Sequence, residues 1–258
     1  MIRNRYNAND DMFSFDSFLN RMKTYSLRTF PSKPLELSPP NLSLNGWSHD
    51  ESYRNRIVCD YCQQGLVIDL SNSNNVKKLI DRYLNKLITE HLHKCPWKYQ
   101  QLSKMTYKIR ELSLPSNLAL KTLIEKAKKI EINLNFDINL IHPLNQQQLN
   151  LLENLIPNNE KISIRSLILS LFGFEYKCKL SYNCHLLYSA LDIVTISITP
   201  NKTVDVMKEH RFYSPHLMPT TDSSKELGWQ TLFNLITRKG SKKQQLEESL
   251  IINSFSVS

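Results

Sequence analysis

The sequence predicts a mixed α+β fold built from small modules, and three features carry that prediction. Apolar residues recur at helical spacing in several segments. Short β-branched runs lie between them, and two closely spaced pairs, Cys59/Cys62 and His91/Cys95, read as the ligands of a metal-stapled module. The 258 residues suffice for one large domain or two of ordinary size. With 41% apolar and 22% charged residues, a packed chain is expected rather than a disordered one. Only 5 Gly argue against propellers, collagen and Gly-rich linkers.

The elements follow in order. Phe15, Phe18, Leu19 and Met22 predict a first helix over Phe15–Tyr25. Pro31, Pro34, Pro39 and Pro40 punctuate an irregular segment that ends at Gly46-Trp47. Residues 57–70 read as one or two strands around a Cys pair, with Gln63-Gln64-Gly65 as the turn. From about Asn75, the residues Val76, Leu79, Ile80, Tyr83, Leu87, Ile88 and His91 share one helix face, and Pro96 stops that helix. Helical stretches broken by Pro115 and Pro143 cover 103–157. Residues 162–174 predict an apolar helix, 186–198 strands, and Gly228–Thr237 a last short helix.

No run of 18 apolar residues occurs, so no membrane helix is expected, and the first residues lack the apolar run of a secretory signal. The expected compartment is therefore cytosol or nucleus. The formal charge of +9 favours acidic partners or nucleic acid without specifying either. The clusters Arg54/Arg56, Lys126/Lys128/Lys129 and Arg238/Lys239/Lys242/Lys243 read as solvated faces and a tail, the last also as a weak nuclear-import signal.

Five Cys in a chain without a secretory signal suggest metal ligands or free thiols. Cys59-Asp-Tyr-Cys62 places two thiols at the spacing a tight turn needs to aim both at one ion. His91-x3-Cys95 adds an imidazole and a thiol at i and i+4, expected on one face of the helix above. Three sulfurs and one nitrogen complete a tetrahedral zinc site with no position left for a water nucleophile, which makes the site structural. One ion is expected. His93, between the two ligands, is expected to point away.

The order of these features resembles a known family. Arg21-Met-Lys-Thr-Tyr25 looks like the opening helix motif of BIR domains. The segment Pro34 to Gly46-Trp47 is similar to the approach to the Gly-aromatic pair of that fold, and Cys59-x2-Cys62 followed by His91-x3-Cys95-Pro96-Trp97 matches the C3HC signature. The chain thus resembles the C3HC zinc-finger, BIR-like family typified by mammalian NIPA and its fungal Rsm- and Pml-type nuclear relatives. The resemblance implies two BIR-like modules, each a short antiparallel sheet with helices, the second degenerate. The expected organisation is a flexible N-terminus (1–12), a C3HC zinc-binding module (13–102), a second module (103–238) and a basic tail (239–258).

For the second module, Gly173-Phe174 parallels Gly46-Trp47, and His210-x3-Ser214-Pro215 parallels His91-x3-Cys95-Pro96. Cys184 and His210 are the two ligands expected to survive, with Leu187 at the next position. Cys178 or His185 could substitute for a missing ligand, but packing without metal is the preferred reading. Gly228-Trp229 resembles the family's closing motif. Gly46, Trp47, Gly173 and Phe174 read as residues of module integrity or partner binding. Trp97 and Trp229 read as core.

The resemblance implies a nuclear, non-enzymatic protein of the nuclear envelope and pore basket. Its partners would be the coiled-coil filament proteins of that basket, and its biology the nuclear retention and export of messenger RNA. An enzyme is not expected: there is no phosphate-binding Gly loop, no G-x-S-x-G, no H-E-x-x-H, and no base beside Cys178 or Cys184. No small-molecule substrate and no membrane contact are expected. Direct RNA binding and a ubiquitin-ligase adaptor role are the alternatives, although no finger-type recognition helix, stacking platform or F-box pattern is present, so any nucleic-acid link is expected to be indirect. The inhibitor-of-apoptosis activity of true BIR domains is not expected, because Leu66-Val-Ile-Asp69-Leu lacks the acidic and Trp lining of their groove.

Overall fold

Ser14 opens the first helix, α1 (Phe15–Met22), by accepting a hydrogen bond from the Ser17 N–H, and Asp16 complements the positive end of the helix dipole. The structure is a computed structural model of the chain. It describes residues 11–26, 28–31, 33–71, 75–134, 138–158, 160–176, 186–189, 194–197, 203–221 and 225–238. The chain divides between Tyr107 and Lys108 into two compact units, each with its own apolar core.

In the first unit α1 ends three residues short of Tyr25, and the hydrogen bonds show why. Outside the helix, Thr24 Oγ1 accepts from the His49 N–H at 2.7 Å, and Tyr25 Oη donates to the Trp47 carbonyl at 3.0 Å. The proline-rich segment, expected to be irregular, contains a short helix, α2 (Pro39–Leu44). Prolines are tolerated in a first turn, because N–H groups there have no intrahelical acceptor. Strands β1 (Trp47–His49), β2 (Arg56–Cys59) and β3 (Gly65–Val67) form an antiparallel sheet in that order, with Trp47 opposite Cys59. Asn75 caps α3 (Val76–Thr89), and a 3-10 turn at Pro96–Lys98 follows.

The second unit is built on α4 (Ser116–Asn133), which buries Ala119, Leu123, Ala127 and Ile130 along one side. Then come β4 (Asn139–Ile141), α5 (Gln146–Glu153) and α6 (Ile164–Leu171). Strands β5 (Phe174–Tyr176), β6 (Leu186–Ser189) and β7 (Val194–Ser197) form a second antiparallel meander. β8 (Thr203–Asp205) pairs parallel with β4, and α7 (Gly228–Thr237) closes the unit. The β4–β8 pair leaves no periodic signal in the sequence, because three-residue strands carry too little alternation. Lys126 bridges Glu111 and Glu175 at 2.7 Å each; burial opposes its charge, but the two carboxylates outweigh it and hold its pKa above the ordinary value. No helix among the described residues is long and apolar enough to cross a membrane.

One carboxylate ties α4 to the start of α6. Glu131 Oε2 accepts from the Ser163 N–H, the Ser163 hydroxyl and the Ser166 hydroxyl at 3.0, 2.5 and 2.6 Å. Desolvation works against the ionised form, but these bonds prevail and hold the carboxyl below its ordinary value. The stability it adds is therefore complete above the usual glutamate range and fades as pH falls through the lowered folded-state value. Glu131→Gln should cost about 1 kcal/mol at neutral pH and flatten this acid limb, as read by chemical denaturation at a series of pH values.

Candidate metal centre

The knuckle that carries the first two sulfurs is set by backbone geometry. β2 ends at Cys59, whose N–H donates to the Gln64 carbonyl and whose carbonyl accepts from the Gln63 N–H, at 2.9 and 2.8 Å. Gln63 takes a left-handed φ of 61° to close the turn.

The second pair arrives differently from the expectation. α3 stops at Thr89, so His91 and Cys95 do not share a helix face. A turn after the helix, closed by the Cys95 N–H on the Leu92 carbonyl at 2.9 Å, folds the thiol back over the imidazole. A helix that ends early frees the ring to turn inward while α3 keeps Leu87 buried in the core.

The ligand atoms of Cys59, Cys62, His91 and Cys95 all lie within 4.8 Å of one another, three of the four residues being buried. Cys59 Sγ and Cys95 Sγ are 3.9 Å apart, and His91 Nδ1 is 3.5 Å from both Cys62 Sγ and Cys95 Sγ. A tetrahedral ion with sulfur at about 2.3 Å and nitrogen at about 2.0 Å has edges of about 3.8 and 3.5 Å. The donor set therefore fits a four-coordinate metal ion with no vacant position.

The electrostatics agree. Burial, with the neighbouring thiols adding to it, pushes the Cys59 thiol far up and the Cys95 thiol up to about 11. Burial also lowers the His91 pKa, leaving a neutral ring whose Nε2–H donates to the Asn45 carbonyl at 3.1 Å and whose Nδ1 lone pair faces the sulfurs. Three thiolates this close require a cation, and the cation in turn displaces their protons.

The Gly-aromatic pair forms the wall of this centre. Trp47 is wholly buried; its ring lies 4.4 Å from that of His91, and its indole N–H donates to the Leu87 carbonyl at 2.9 Å. Gly46 has φ +83°, and a Cβ there would lie 2.3 Å from the Trp97 ring. The buried Arg21 guanidinium lies 4.7 Å from the centre of that ring, and its Nε–H donates to the Ser43 carbonyl. The opening-helix motif thus has a physical role: Arg21, Thr24 and Tyr25 tie α1 to the Gly46-Trp47 segment. Asn45 was not anticipated, since a backbone carbonyl leaves no mark in residue type. His93 is exposed.

A related frame recurs among the described residues of the second unit, with serine where the first has Cys95. Gly173 has φ +79°, and a Cβ there would lie 2.1 Å from His216 Nε2. The Phe174 ring lies 5.0 Å from that of His210, and His210 Nδ1 is 3.2 Å from the buried Ser214 hydroxyl. Ser214 takes the place of Cys95, and His216 that of Trp97. Strand register sets Ser189 opposite Phe174, as Cys59 is set opposite Trp47. Cys178, Cys184 and His185 lie outside the described residues. Trp97 and Trp229 are both buried.

A family model, zf-C3HC, described as the NuBaID N-terminal domain, matches residues 12–139. The match covers the whole metal centre and runs on through α4 to the first residue of β4. No curated protein matches the chain.

Proposed function

This chain belongs, over residues 12–139, to the zf-C3HC family, and on that premise we propose that it is a non-enzymatic, zinc-stabilised protein-binding scaffold of two BIR-like modules. The proposed location is the nuclear envelope and pore basket, the partners are coiled-coil filament proteins of the basket, and the process served is nuclear retention and export of messenger RNA. The observation that carries this reading is the closed Cys59–Cys62–His91–Cys95 cluster, whose spacing suits zinc and leaves no room for a reacting water. A closed site stabilises a surface; it does not turn over a substrate. The recurrence of the Gly-aromatic frame around His210 and Ser214 supports the reading of two related modules.

The test is capture of basket filament protein from a nuclear extract by the full chain, with metal content measured in parallel and Cys95→Ser as the control. The reading expects one zinc per chain and capture that is lost in the variant. A folded, zinc-loaded wild type that captures no filament protein would overturn the basket assignment. Recovery of a cullin scaffold or of RNA instead would redirect it.

A further inference from the structure

α3 is unusually bare for an amphipathic helix. Of its 14 residues only Leu87 is buried, whereas α4 buries five. Lys78, Arg82 and Lys86 recur every fourth residue along it, and such residues line up one above the other about 6 Å apart. Among the described residues Lys78 and Arg82 have no acidic partner, and Lys86 meets only Glu90, at 3.7 Å across an exposed i,i+4 pair. The lysines of α4 differ. Lys126 and Lys128 each hold two carboxylates of their own unit. Two of the four α4 lysines thus have their charge balanced within their own unit, whereas Lys78 and Arg82 of α3 face outward.

Beside this ridge lies an apolar shoulder. Val76 is 44% exposed, and Leu79 is half-buried yet outside the core cluster of its unit. A row of cations one turn apart, flanked by apolar side chains, matches the pattern by which one coiled-coil helix recognises another, with acids on the partner meeting the row. A nucleic-acid backbone fits less well. Asp81 on the helix and Glu90 just past its end lie exposed, and the Tyr83 hydroxyl is occupied with the Asp69 backbone, at 3.0 and 3.2 Å. We propose that the Lys78–Arg82–Lys86 ridge, with Val76 and Leu79, is a docking surface for an acidic amphipathic helix.

The inference rests on the protein-binding reading above and assigns its surface. It also explains how a buried metal reaches a partner. His91 and Cys95 anchor the end of α3, and Trp47 holds the Leu87 carbonyl, so the centre fixes the direction in which the ridge points. Trp47 itself is too buried to touch anything bound.

The test measures binding of the full zinc-loaded chain to a synthetic dimeric coiled coil with Glu at its e and g positions, by fluorescence anisotropy. Lys78→Glu/Arg82→Glu/Lys86→Glu should weaken binding by about tenfold or more at low salt, with metal content and circular dichroism unchanged. Lys121→Glu/Lys129→Glu, exposed positions of α4, should leave it unchanged. The proposal falls if the wild type ignores the acidic coil, if both variants weaken equally, or if a uridine oligomer binds the ridge more tightly than the coil does. Filament capture separates the two readings. Capture that survives in the triple variant overturns the ridge alone. An acidic coil bound through the ridge, with no filament captured, upholds the ridge and removes the basket.

Discussion

Stripping the metal, or replacing Cys95 with serine, is expected to unfold the first unit while the second keeps its core. The four ligands come from the β2–β3 knuckle and from the turn after α3, so an ion held by them would tie the sheet to the end of the helix. Structural zinc contributes on the order of 10 kcal/mol to a small module, as much as the whole net stability of an ordinary domain, about 5–15 kcal/mol. Without the cation the buried thiols must take back protons, as the upward shifts of Cys59 and Cys95 imply, and so metal release should become easier as pH falls. In the second unit a serine stands beside the histidine, with the Ser214 hydroxyl 3.2 Å from His210 Nδ1. The three Trp divide between the units: Trp47 and Trp97 report on the first and Trp229 on the second. Chelator titration followed by fluorescence should therefore expose the first two indoles and leave Trp229 protected. A single loss of all three signals, or none, would contradict two separately stabilised units.

The second large effect is expected at two glycines. Gly46→Ala must place a Cβ 2.3 Å from the Trp97 indole at a φ of +83°, and Trp97 is confined by Arg21 on its face and by Phe13 at 4.5 Å. Left-handed strain and overpacking together should cost about 3 kcal/mol or more. Gly173→Ala meets His216 Nε2 at 2.1 Å at φ +79° and should cost the second unit a similar amount. Gly65→Ala is the comparison: it meets only the flexible end of the half-buried Arg56 side chain at 2.9 Å, and the loss should stay below about 1 kcal/mol. Urea denaturation with metal content measured alongside distinguishes the three. Equal losses in all of them would mean that the ring contacts are not what makes Gly46 and Gly173 necessary.

Both predictions draw on features that differ in how legible they were. The amphipathic pattern of 75–91 located α3, and Gly228–Thr237 proved helical over the range expected. The end of α3 did not follow, because apolar spacing continues to His91 while the backbone leaves the helix at Thr89 to turn the imidazole toward the thiols. The Pro39-Pro40 segment reads as irregular by composition, yet two prolines at a first turn are compatible with α2. β4 and β8 lie about 60 residues apart and owe their form to each other, so neither segment alone carries a strand signal.

The donor set is legible in residue type alone: Cys59, Cys62, His91 and Cys95 supply three thiols and an imidazole in two short-range pairs, a closed four-donor set for a metal ion. Spacing along the chain likewise gives the apolar face of α3, of which Ile80, Tyr83 and Leu87 pack into the core while Val76 and Ile88 stay exposed. The rigidity of the centre comes instead from contacts between segments far apart in the chain. The Asn45 carbonyl orients His91, Trp47 reaches across to Leu87, and Arg21 covers the Trp97 ring that no side chain at Gly46 could accommodate. Each of these joins residues about 40 to 80 positions apart, or depends on the sign of a backbone angle. Contacts of that range arise when the segments fold onto one another, and no local pattern encodes them.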